Sequence, residues 1–196
     1  MAATTAPTTG LGARVPGAGE APWRGTVVMG VAGCGKSTVG GLLAARLGVR
    51  FVDADDLHPA HNVATMAAGT PLTDADRLPW LARVADVLSQ GADAGEPVVV
   101  ACSALRRAYR DALRAGAGGD VAFVHLHGDR ALLAERIAAR ADHFMPPALL
   151  DSQLATLEPL EADETGFVLD VARPPGRTAV AAADRLGGHP GTAPGA

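Results

Sequence analysis

The stretch that decides the fold is Gly30-Val31-Ala32-Gly33-Cys34-Gly35-Lys36-Ser37-Thr38. An apolar run at residues 26–29 precedes it, and a helical pattern at residues 39–47 follows it. Strand, glycine-rich loop and helix in this order match the phosphate-loop pattern GxxxxGK[ST] in the context that the pattern requires. The glycines let successive N–H groups point inward at one anion, where the helix also presents the positive end of its dipole. We therefore expect the whole stretch to surround the phosphates of a nucleotide.

Two side chains of this loop have a predicted chemical role. Lys36 is the only lysine of the chain, and all its other Lys/Arg-type residues are arginines. A compact ammonium group suits a tight phosphate-binding loop better than it suits a solvated surface position. We expect Lys36 to reach the outer phosphates as a catalytic residue and Ser37 to offer its hydroxyl to a magnesium ion.

The composition limits the class of protein. With 196 residues, 48% of them hydrophobic and 19% charged, the chain suffices for one folded domain with a sizeable core. The net charge of −4 argues against general nucleic-acid binding. No apolar run approaches the roughly 18 residues needed to cross a bilayer, so no membrane partner is expected. Cys34 and Cys102 are the only cysteines, which predicts a reducing compartment and no disulfide framework.

Strand-like and helical patterns alternate between two predicted flexible tails, residues 1–22 and 187–196, and place the folded domain at residues 23–186. The predicted strands are residues 26–31, 50–53, 97–102, 121–127 and 167–171. The predicted helices are residues 37–47, 59–68, 74–90, 106–114, 129–141, 147–157 and about 178–186. This alternation predicts an α/β fold with a five-stranded parallel sheet covered by helices on both faces. Ligands bind such sheets at the carboxyl ends of the strands.

Three acids, Asp53, Asp55 and Asp56, follow the second predicted strand. In an extended chain Asp53 and Asp55 point the same way, towards the expected phosphates. A carboxylate there can hold magnesium or accept the proton of an attacking hydroxyl group. We assign the metal role to Asp53 and the role of substrate-binding base to Asp55. The alternative is that the acids cap the next helix, and we expect one of the three to do so.

Arginines after later strands are candidates for anion binding. Arg77 lies in the first turn of a predicted helix, where the helix dipole disfavours a cation. It either binds a carboxylate substrate or pairs with Asp74 or Asp76, and the sequence leaves the two alternatives open. Ser103 and Arg106 follow the third strand, where small residues admit a substrate and an arginine can reach an anion. Solvent-facing positions are expected for Arg107, Arg110 and Arg114.

The helix predicted at residues 129–141 carries Arg136 and Arg140 on one face and runs into a segment bounded by prolines. Beside a phosphate loop, this pattern predicts a lid at about residues 140–157, whose arginines meet phosphoryl oxygens on closure. The alternative is an ordinary amphipathic helix with solvated arginines. Arg173, in the turn after the fifth strand, is a candidate for flanking the nucleotide base.

Four stretches of the chain closely resemble the gluconokinases, small P-loop sugar-acid kinases related to shikimate kinase. They are MGVAGCGKST, DADDLHPAHNVATMAAGTPLTDADRLPWL, ACSALRRAYRDALR and ADHFMPPALLDSQLATLEPLE, and they cover most of residues 27–161. The resemblance implies a three-layer P-loop kinase fold with a small lid. It also implies ATP- and Mg²⁺-dependent phosphorylation of D-gluconate at its terminal hydroxyl, which gives 6-phospho-D-gluconate for the pentose phosphate pathway. A homodimer in the cytoplasm is implied as well.

The family pattern also assigns functional positions. They fall on the phosphate loop, Asp55, Asp56, His58, Asp76, Arg77, Arg136, Arg140 and His143. The acceptor site implied in this way comprises Asp55, Asp56, His58, Arg77, Ser103, Arg106 and His143. Cys34 and Ala54 stand where many relatives have serine and glycine, and Arg106 stands where relatives often have lysine.

These features favour a gluconate kinase over two rivals. The first rival is a kinase of a related small acid, such as shikimate or another sugar acid. The second is a nucleotide-binding module without turnover. The paired acids after the second strand and the arginines of the predicted lid argue against the second rival, because binding alone requires neither.

Overall fold

Strands and helices alternate through residues 23–68, 70–139 and 147–187, the part of the chain that the computed structural model describes. The strands are β1 Gly25–Met29, β2 Arg50–Asp53, β3 Val98–Ala101, β4 Val121–His127 and β5 Gly166–Asp170. The helices are α1 Lys36–Leu47, α2 Ala60–Ala67, α3 Asp74–Asp93, α4 Arg107–Ala117, α5 Arg130–Ala138, α6 Pro147–Thr156 and α7 Pro175–Arg185. A short 3-10 helix, Ala54–Leu57, follows β2. The predicted tail at residues 1–22, residues 188–196 of the tail predicted at residues 187–196, and residues 140–146 of the predicted lid lie outside the described residues.

The five strands form one sheet in the order β2-β3-β1-β4-β5, and every neighbouring pair is parallel. The central strand is β1, in which Val27 is level with Val100 of β3 and Phe123 of β4. Because all strands run the same way, their carboxyl ends meet at one edge of the sheet, where ligands bind in such folds. The predicted five-stranded parallel sheet is confirmed.

Helices cover both faces of the sheet. On one face, Val28 packs in a buried cluster with Leu43 of α1 and Ala182 of α7. On the other face, Val27 packs in a second cluster with Leu113 of α4 and residues of α3. Every residue of β1 is buried, as expected for a parallel strand that lies between two layers of helices. The predicted three-layer α/β architecture is therefore present. None of the described helices has the length and apolar composition of a membrane-crossing segment.

Most predicted boundaries lie close to the observed ones, and the differences have local causes. β2 and β4 match the prediction. β1 ends at Met29, earlier than predicted, because Gly30 (φ 139°) already belongs to the phosphate loop. Gly48 ends α1 with a left-handed backbone (φ 69°), and its N–H is bonded to the Ala44 carbonyl. α3 continues to Asp93, beyond the predicted end at residue 90.

The prediction that Arg110 faces solvent is wrong. Its side chain is 0% exposed and donates two hydrogen bonds to Glu164, at 2.6 and 2.8 Å. Its other donors reach the carbonyl oxygens of Leu105, Glu158 and Pro159 at 3.1–3.3 Å. A buried guanidinium needs such a full set of acceptors, since each unmet donor carries a desolvation cost. The pair thus ties the segment after α6 to the turn between β3 and α4.

Arg107 and Arg114 are also paired rather than simply solvated. Arg107 donates to both carboxylate oxygens of Asp163 at 2.8 Å and to Asp111 at 2.9 Å. Arg114 pairs with the same Asp111. Both arginine side chains keep about a quarter of their surface exposed, 24% and 23%. Their acidic partners come partly from the run after α6, which sequence spacing does not connect to α4.

Candidate active site

The phosphate loop joins β1 to α1 at the carboxyl edge of the sheet. Gly30, Gly33 and Gly35 have φ angles of 139°, 77° and 91°, a region that side chains rarely adopt. A Cβ on Gly33 would lie 2.8 Å from the Leu133 carbonyl oxygen and 2.9 Å from the Ile137 side chain, both in α5. The glycines therefore provide both the inward curl of a phosphate cradle and the close approach of α5.

One peptide group of the loop is held by side chains on both sides. Lys36 Nζ donates to the Val31 carbonyl oxygen at 3.2 Å. The N–H of Ala32 donates to Oε1 of Gln153, in α6, at 2.7 Å. Lys36 is also the first residue of α1, so its ammonium group and the positive end of the helix lie at the same loop.

Ser37 and Asp53, the two predicted metal ligands, are in direct contact. Ser37 Oγ donates to Asp53 Oδ2 at 2.6 Å, and the other carboxylate oxygen of Asp53 accepts the N–H of Asp55 at 3.1 Å. Asp53 therefore also caps the 3-10 helix, the alternative role considered for these acids. In the described part of the chain, no group of three or more His, Cys, Asp and Glu side chains is placed to hold a metal. A hydroxyl and one carboxylate suit Mg²⁺, which takes oxygen ligands and completes its shell with phosphates and water.

Cys102 is a buried cysteine directly after β3, and the charges of several site residues act on its thiol. Burial raises the pKa of its thiol to about 12, against a lowering by a backbone hydrogen bond at Ala104. The charges of Asp55, Lys36 and Asp53 act on the same thiol. Lys36, Asp53 and Asp55 therefore lie within electrostatic range of one buried position at the end of β3. Because its pKa is so high, the thiol is not available as a nucleophile.

His58 lies between the acids and Arg77. Its ring stacks on Trp80 with centroids 4.2 Å apart, and its Nδ1 is 3.3 Å from the side-chain nitrogen of Asn62. Burial lowers the pKa of His58; the charge of Asp55 raises it and that of Arg77 lowers it further. The lowered pKa favours the neutral form of the ring, and both Asp55 and Arg77 lie within electrostatic range of it. Asp55 itself is exposed, as is the neighbouring Asp56.

Arg77 and Arg106 converge on one carboxylate, that of Asp74. Arg77 Nη1 lies 3.4 Å from Asp74 Oδ1 and 3.3 Å from the hydroxyl of Tyr109, and Arg106 donates to Asp74 Oδ2 at 2.8 Å. Both guanidinium carbons lie near the Tyr109 ring, 5.7 and 5.8 Å from its centroid. The hydrogen bond from Tyr109 and the two arginines hold the pKa of Asp74 below its usual value. A second carboxylate brought to this cluster would find two cations and a phenol.

The sequence left open whether Arg77 binds a carboxylate substrate or pairs with Asp74 or Asp76, and the structure shows the ion pair with Asp74. Asp76 belongs to a capping box at the start of α3, where it accepts from Thr73 N at 2.8 Å while its own N–H donates to Thr73 Oγ1. Asp74 is the residue that pairs with Arg77, at 3.4 Å. The Asp74 side chain remains 57% exposed, so the pair stays open to a ligand.

Ser103 lies in the turn between β3 and α4, next to the phosphate loop. Its carbonyl oxygen accepts the N–H of Gly30 at 3.3 Å, and its side chain is half-buried. The following Ala104 is fully buried with φ 43°, a left-handed conformation that is unusual for a residue other than glycine. The carbonyl of Leu105 is fixed in turn by Arg110 and by the N–H of Glu158. The turn that carries Ser103 and Arg106 is thus held by the chain that follows α6.

A cavity of about 300 Å³ opens on the α5 side of the phosphate loop. Its lining combines the loop, the start of α1, α5 and the turn after β5: Gly33, Cys34, Gly35, Thr38, Val39, Arg136, Val171, Arg173, Pro175 and Thr178. Arg136 is fixed by a 2.7 Å hydrogen bond to the Val171 carbonyl. The volume is in the range of small-ligand pockets. Arg136 and Arg173, predicted separately for the nucleotide, therefore line the same cavity as the loop.

Two predicted residues, Arg140 and His143, lie outside the described residues. Three residues that the sequence reasoning did not assign to the site are Asp74, Tyr109 and Gln153. Asp74 and Tyr109 are far apart in the chain and meet only because α3 packs against α4. Gln153 carried a usable signal, because it belongs to the SQ of the ADHFMPPALLDSQLATLEPLE stretch that resembles a known family.

Comparison with known proteins agrees with this geometry. A family model described as an AAA domain matches residues 26–160. The chain is 52% identical over 138 residues to the gluconokinase of Gluconobacter oxydans (strain 621H), which covers 70% of this chain and 77% of that protein. The chain belongs to the gluconokinase family.

Solved structures related to this gluconokinase-family chain share its fold. A gluconokinase from Sinorhizobium meliloti 1021 superposes with a TM-score of 0.74 at 48% identity, over 83% of this chain and 92% of that one. An unliganded sugar kinase from Janibacter sp. HTCC2649 gives a TM-score of 0.81 at 46% identity, over 89% and 100% of the two chains. The P-loop kinase fold expected from the resemblance is therefore confirmed.

Proposed function

We propose that this chain uses ATP and Mg²⁺ to phosphorylate D-gluconate at its terminal hydroxyl, giving 6-phospho-D-gluconate for the pentose phosphate pathway. The observation that carries the proposal is the 2.6 Å contact between Ser37 and Asp53, which joins the phosphate loop to the acids after β2. A phosphate donor held in the loop then lies beside Asp55. The names of the relatives point to the same acceptor, since they are gluconokinases.

On the nucleotide side, the backbone N–H groups of the loop and the ammonium of Lys36 hold the phosphates, and Arg136 and Arg173 lie beside the cavity expected to take the nucleoside. Ser37 and Asp53 would hold Mg²⁺ between them. Bound there, Mg²⁺ supplies charge neutralisation at the phosphate oxygens. Arg140, where the family pattern places a second lid arginine, is proposed to join Arg136 at the transferred phosphoryl group.

On the acceptor side, we propose that Arg77 and Arg106 bind the carboxylate of gluconate, and that Asp56, His58, Ser103 and His143 contact its hydroxyl groups. Asp55 accepts the proton of the terminal hydroxyl as that oxygen forms a bond to the γ-phosphorus. The bond from the γ-phosphorus to the bridging oxygen breaks at the same time, and ADP leaves with that oxygen. Lys36 offsets the negative charge at the phosphoryl oxygens during transfer.

A coupled assay of ADP release tests this proposal with gluconate, shikimate and related sugar acids as parallel acceptors. We expect turnover with gluconate to exceed turnover with the other acids, and phosphorus NMR to show a phosphate ester on the terminal carbon of the product. Preference for another acid would transfer the proposal to that acceptor. ATP binding without ADP release from any acid would refute a kinase function.

The resemblance also implies a homodimer in the cytoplasm, and we include both in the proposal. Sedimentation velocity on the full chain tests the first: a species of twice the 19.8 kDa chain mass supports it, and a monomer at micromolar concentration contradicts it. Cell fractionation of the source organism tests the second.

A further inference from the structure

The Val31–Ala32 peptide group forms hydrogen bonds with side chains on two opposite sides. Its carbonyl oxygen accepts Lys36 Nζ at 3.2 Å, and its N–H donates to Gln153 Oε1 at 2.7 Å. A trans peptide group is planar, with its oxygen and its hydrogen pointing in opposite directions. The two hydrogen bonds therefore fix one plane, and a rotation of that plane would break both of them.

Gln153 is well placed to hold this peptide because its helix is anchored at the same end. In α6, Leu150 is 1% exposed in the main core, and Asp151 accepts two hydrogen bonds from Arg130 of α5, at 2.6 and 2.9 Å. The side chain of Gln153 is itself partly buried. An anchored donor or acceptor loses less freedom when it forms a hydrogen bond than a mobile surface side chain does.

The hydrogen bond that Gln153 accepts from the Ala32 N–H lies outside the cavity proposed for the nucleoside. The loop contributes Gly33, Cys34 and Gly35 to the lining of that cavity, and neither Ala32 nor Gln153 belongs to the lining. The Ala32 N–H therefore points to α6 while the following part of the loop faces the cavity. A ligand that fills this cavity therefore does not need to displace the contact between Gln153 and Ala32.

We propose that Gln153 is a positioning residue for nucleotide binding, which fixes the Val31–Ala32 peptide and thereby the carbonyl on which Lys36 rests. The inference rests on the use of a nucleotide in the proposed function, and not on the identity of the acceptor. Without Gln153 the buried side of the loop loses its acceptor, and the peptide plane is free to rotate. The ammonium of Lys36 then loses a fixed partner, and the phosphate cradle is less preorganised.

The test compares Gln153→Met with Gln90→Met, a change of the only other glutamine of the chain, which is exposed in α3. For Gln153→Met we expect the dissociation constant of a non-hydrolysable ATP analogue, measured by calorimetry without acceptor, to rise about tenfold, as for the loss of one buried hydrogen bond. Gln90→Met should leave the constant unchanged. An unchanged constant in Gln153→Met, or tighter binding, would overturn the inference.

Hydrogen exchange at the Ala32 amide separates positioning from general stability. In Gln153→Met this amide should exchange about tenfold faster, while the amides of β4 keep their protection. Gln153→Glu retains an oxygen that can accept the bond, so it should restore slow exchange at Ala32. Equal acceleration at Ala32 and throughout β4 would indicate a purely structural role and refute the proposal.

A second variant and a measurement on the wild-type protein complete the test. If Gln153→Met does not fold, Gln153→Asn keeps the amide but is one methylene too short, and the same changes in exchange and affinity are expected of it. Wild-type protein that binds the analogue but phosphorylates no acid would refute the proposed function and leave this inference standing. Slow exchange at Ala32 in Gln153→Asn would refute the inference alone.

Discussion

The proposed nucleotide side and the proposed acceptor side of the site are built from different parts of the chain. The nucleotide side is shaped by backbone: glycines at positive φ, the Val31–Ala32 peptide, and Arg136 on the Val171 carbonyl. The acceptor side is shaped by charged side chains, with Asp74 holding Arg77 and Arg106. A site built from backbone depends on a few glycines and on cations that rest on backbone carbonyl groups, whereas a network of side chains changes its partners when one member changes. The two sides should therefore respond differently to substitution.

The largest effect is expected for Lys36→Met, which removes the only side-chain ammonium from the nucleotide side. Loss of a cation that offsets phosphoryl charge should reduce kcat about a thousandfold, measured by ADP release with saturating gluconate. The melting temperature should be preserved, because the side chain is only partly buried. Arg46→Met, at the exposed end of the same helix, serves as the control and should retain full turnover. Near-normal turnover in Lys36→Met would contradict its assigned role.

Glu164→Gln tests how much the buried ion pair with Arg110, which holds the turn carrying Ser103 and Arg106, contributes to stability. It leaves the buried Arg110 charge without a counter-ion, which should lower the free energy of unfolding by about 3 kcal/mol. Asp163→Asn is the matched control, since this neighbouring acid pairs with Arg107 at an exposed position, and its loss should lower the free energy of unfolding much less than the loss of Glu164. Urea titration measures both. Nucleotide affinity at low temperature should be preserved, because Glu164 does not touch the nucleotide side.

The ion pair between Arg110 and Glu164 also predicts how the stability of the fold depends on pH. Burial alone would raise the pKa of Glu164, but hydrogen bonds from Arg110 and from the Glu161 N–H outweigh it, and the pKa lies below its usual value. A lowered pKa in the folded state stabilises the protein above the ordinary glutamate value of 4.5, and this contribution is lost as the pH falls through the folded-state pKa. Glu164→Gln should therefore flatten the acid limb of the stability curve. An identical limb in the two proteins would contradict the ion pair.

Asp55→Asn should separate chemistry from binding across the cleft. Removing the proposed base should reduce kcat about a hundredfold, while the dissociation constant for ATP remains unchanged. Asp56→Asn changes the adjacent exposed carboxylate and should have a smaller effect on kcat. If Asp56→Asn proves the more damaging of the two in the ADP-release assay, the base is Asp56 and not Asp55.

The smallest effect is expected for Arg77→Met, because Arg106 remains beside Asp74. Loss of one charge-assisted hydrogen bond to the gluconate carboxylate should raise the KM for gluconate about tenfold, with the KM for ATP unchanged. Arg83→Met, on the same helix, removes a guanidinium that donates to the Leu57 carbonyl and should leave both constants unchanged. A rise in the KM for ATP instead would mean that the two sides are not independent.

The same contrast explains what the sequence predicted. The phosphate loop and the order of strands and helices along the chain follow from local patterns, because hydrophobic periodicity and glycine spacing report backbone geometry directly. The end of β1 differs from the predicted one because the backbone of Gly30 leaves the strand conformation. The assignments of individual catalytic and binding side chains remain predictions, since the sequence places them at one edge of the sheet without fixing their contacts.

Side-chain partners from distant segments could not be predicted. Arg110 resembles its neighbours Arg107 and Arg114 in sequence, and only the path of the chain after α6 brings Glu164 beneath it. Tyr109 joins Asp74 through the packing of α3 on α4, and Gln153 reaches Ala32 through the position of α6. In each case the pairing depends on how two layers of the fold are stacked. That stacking is a tertiary property which no window of the sequence contains.

Because the chain has only one lysine, chemical labelling of amines can be directed to a single side chain. The sole side-chain amine of the chain rests in the phosphate loop, so an amine-reactive reagent has one internal target besides the terminal amino group. A single mass shift on the peptide that contains Lys36, and its suppression by a competing nucleotide, would report occupancy of the loop directly. Lys36 would thus report directly whether a ligand occupies the phosphate loop.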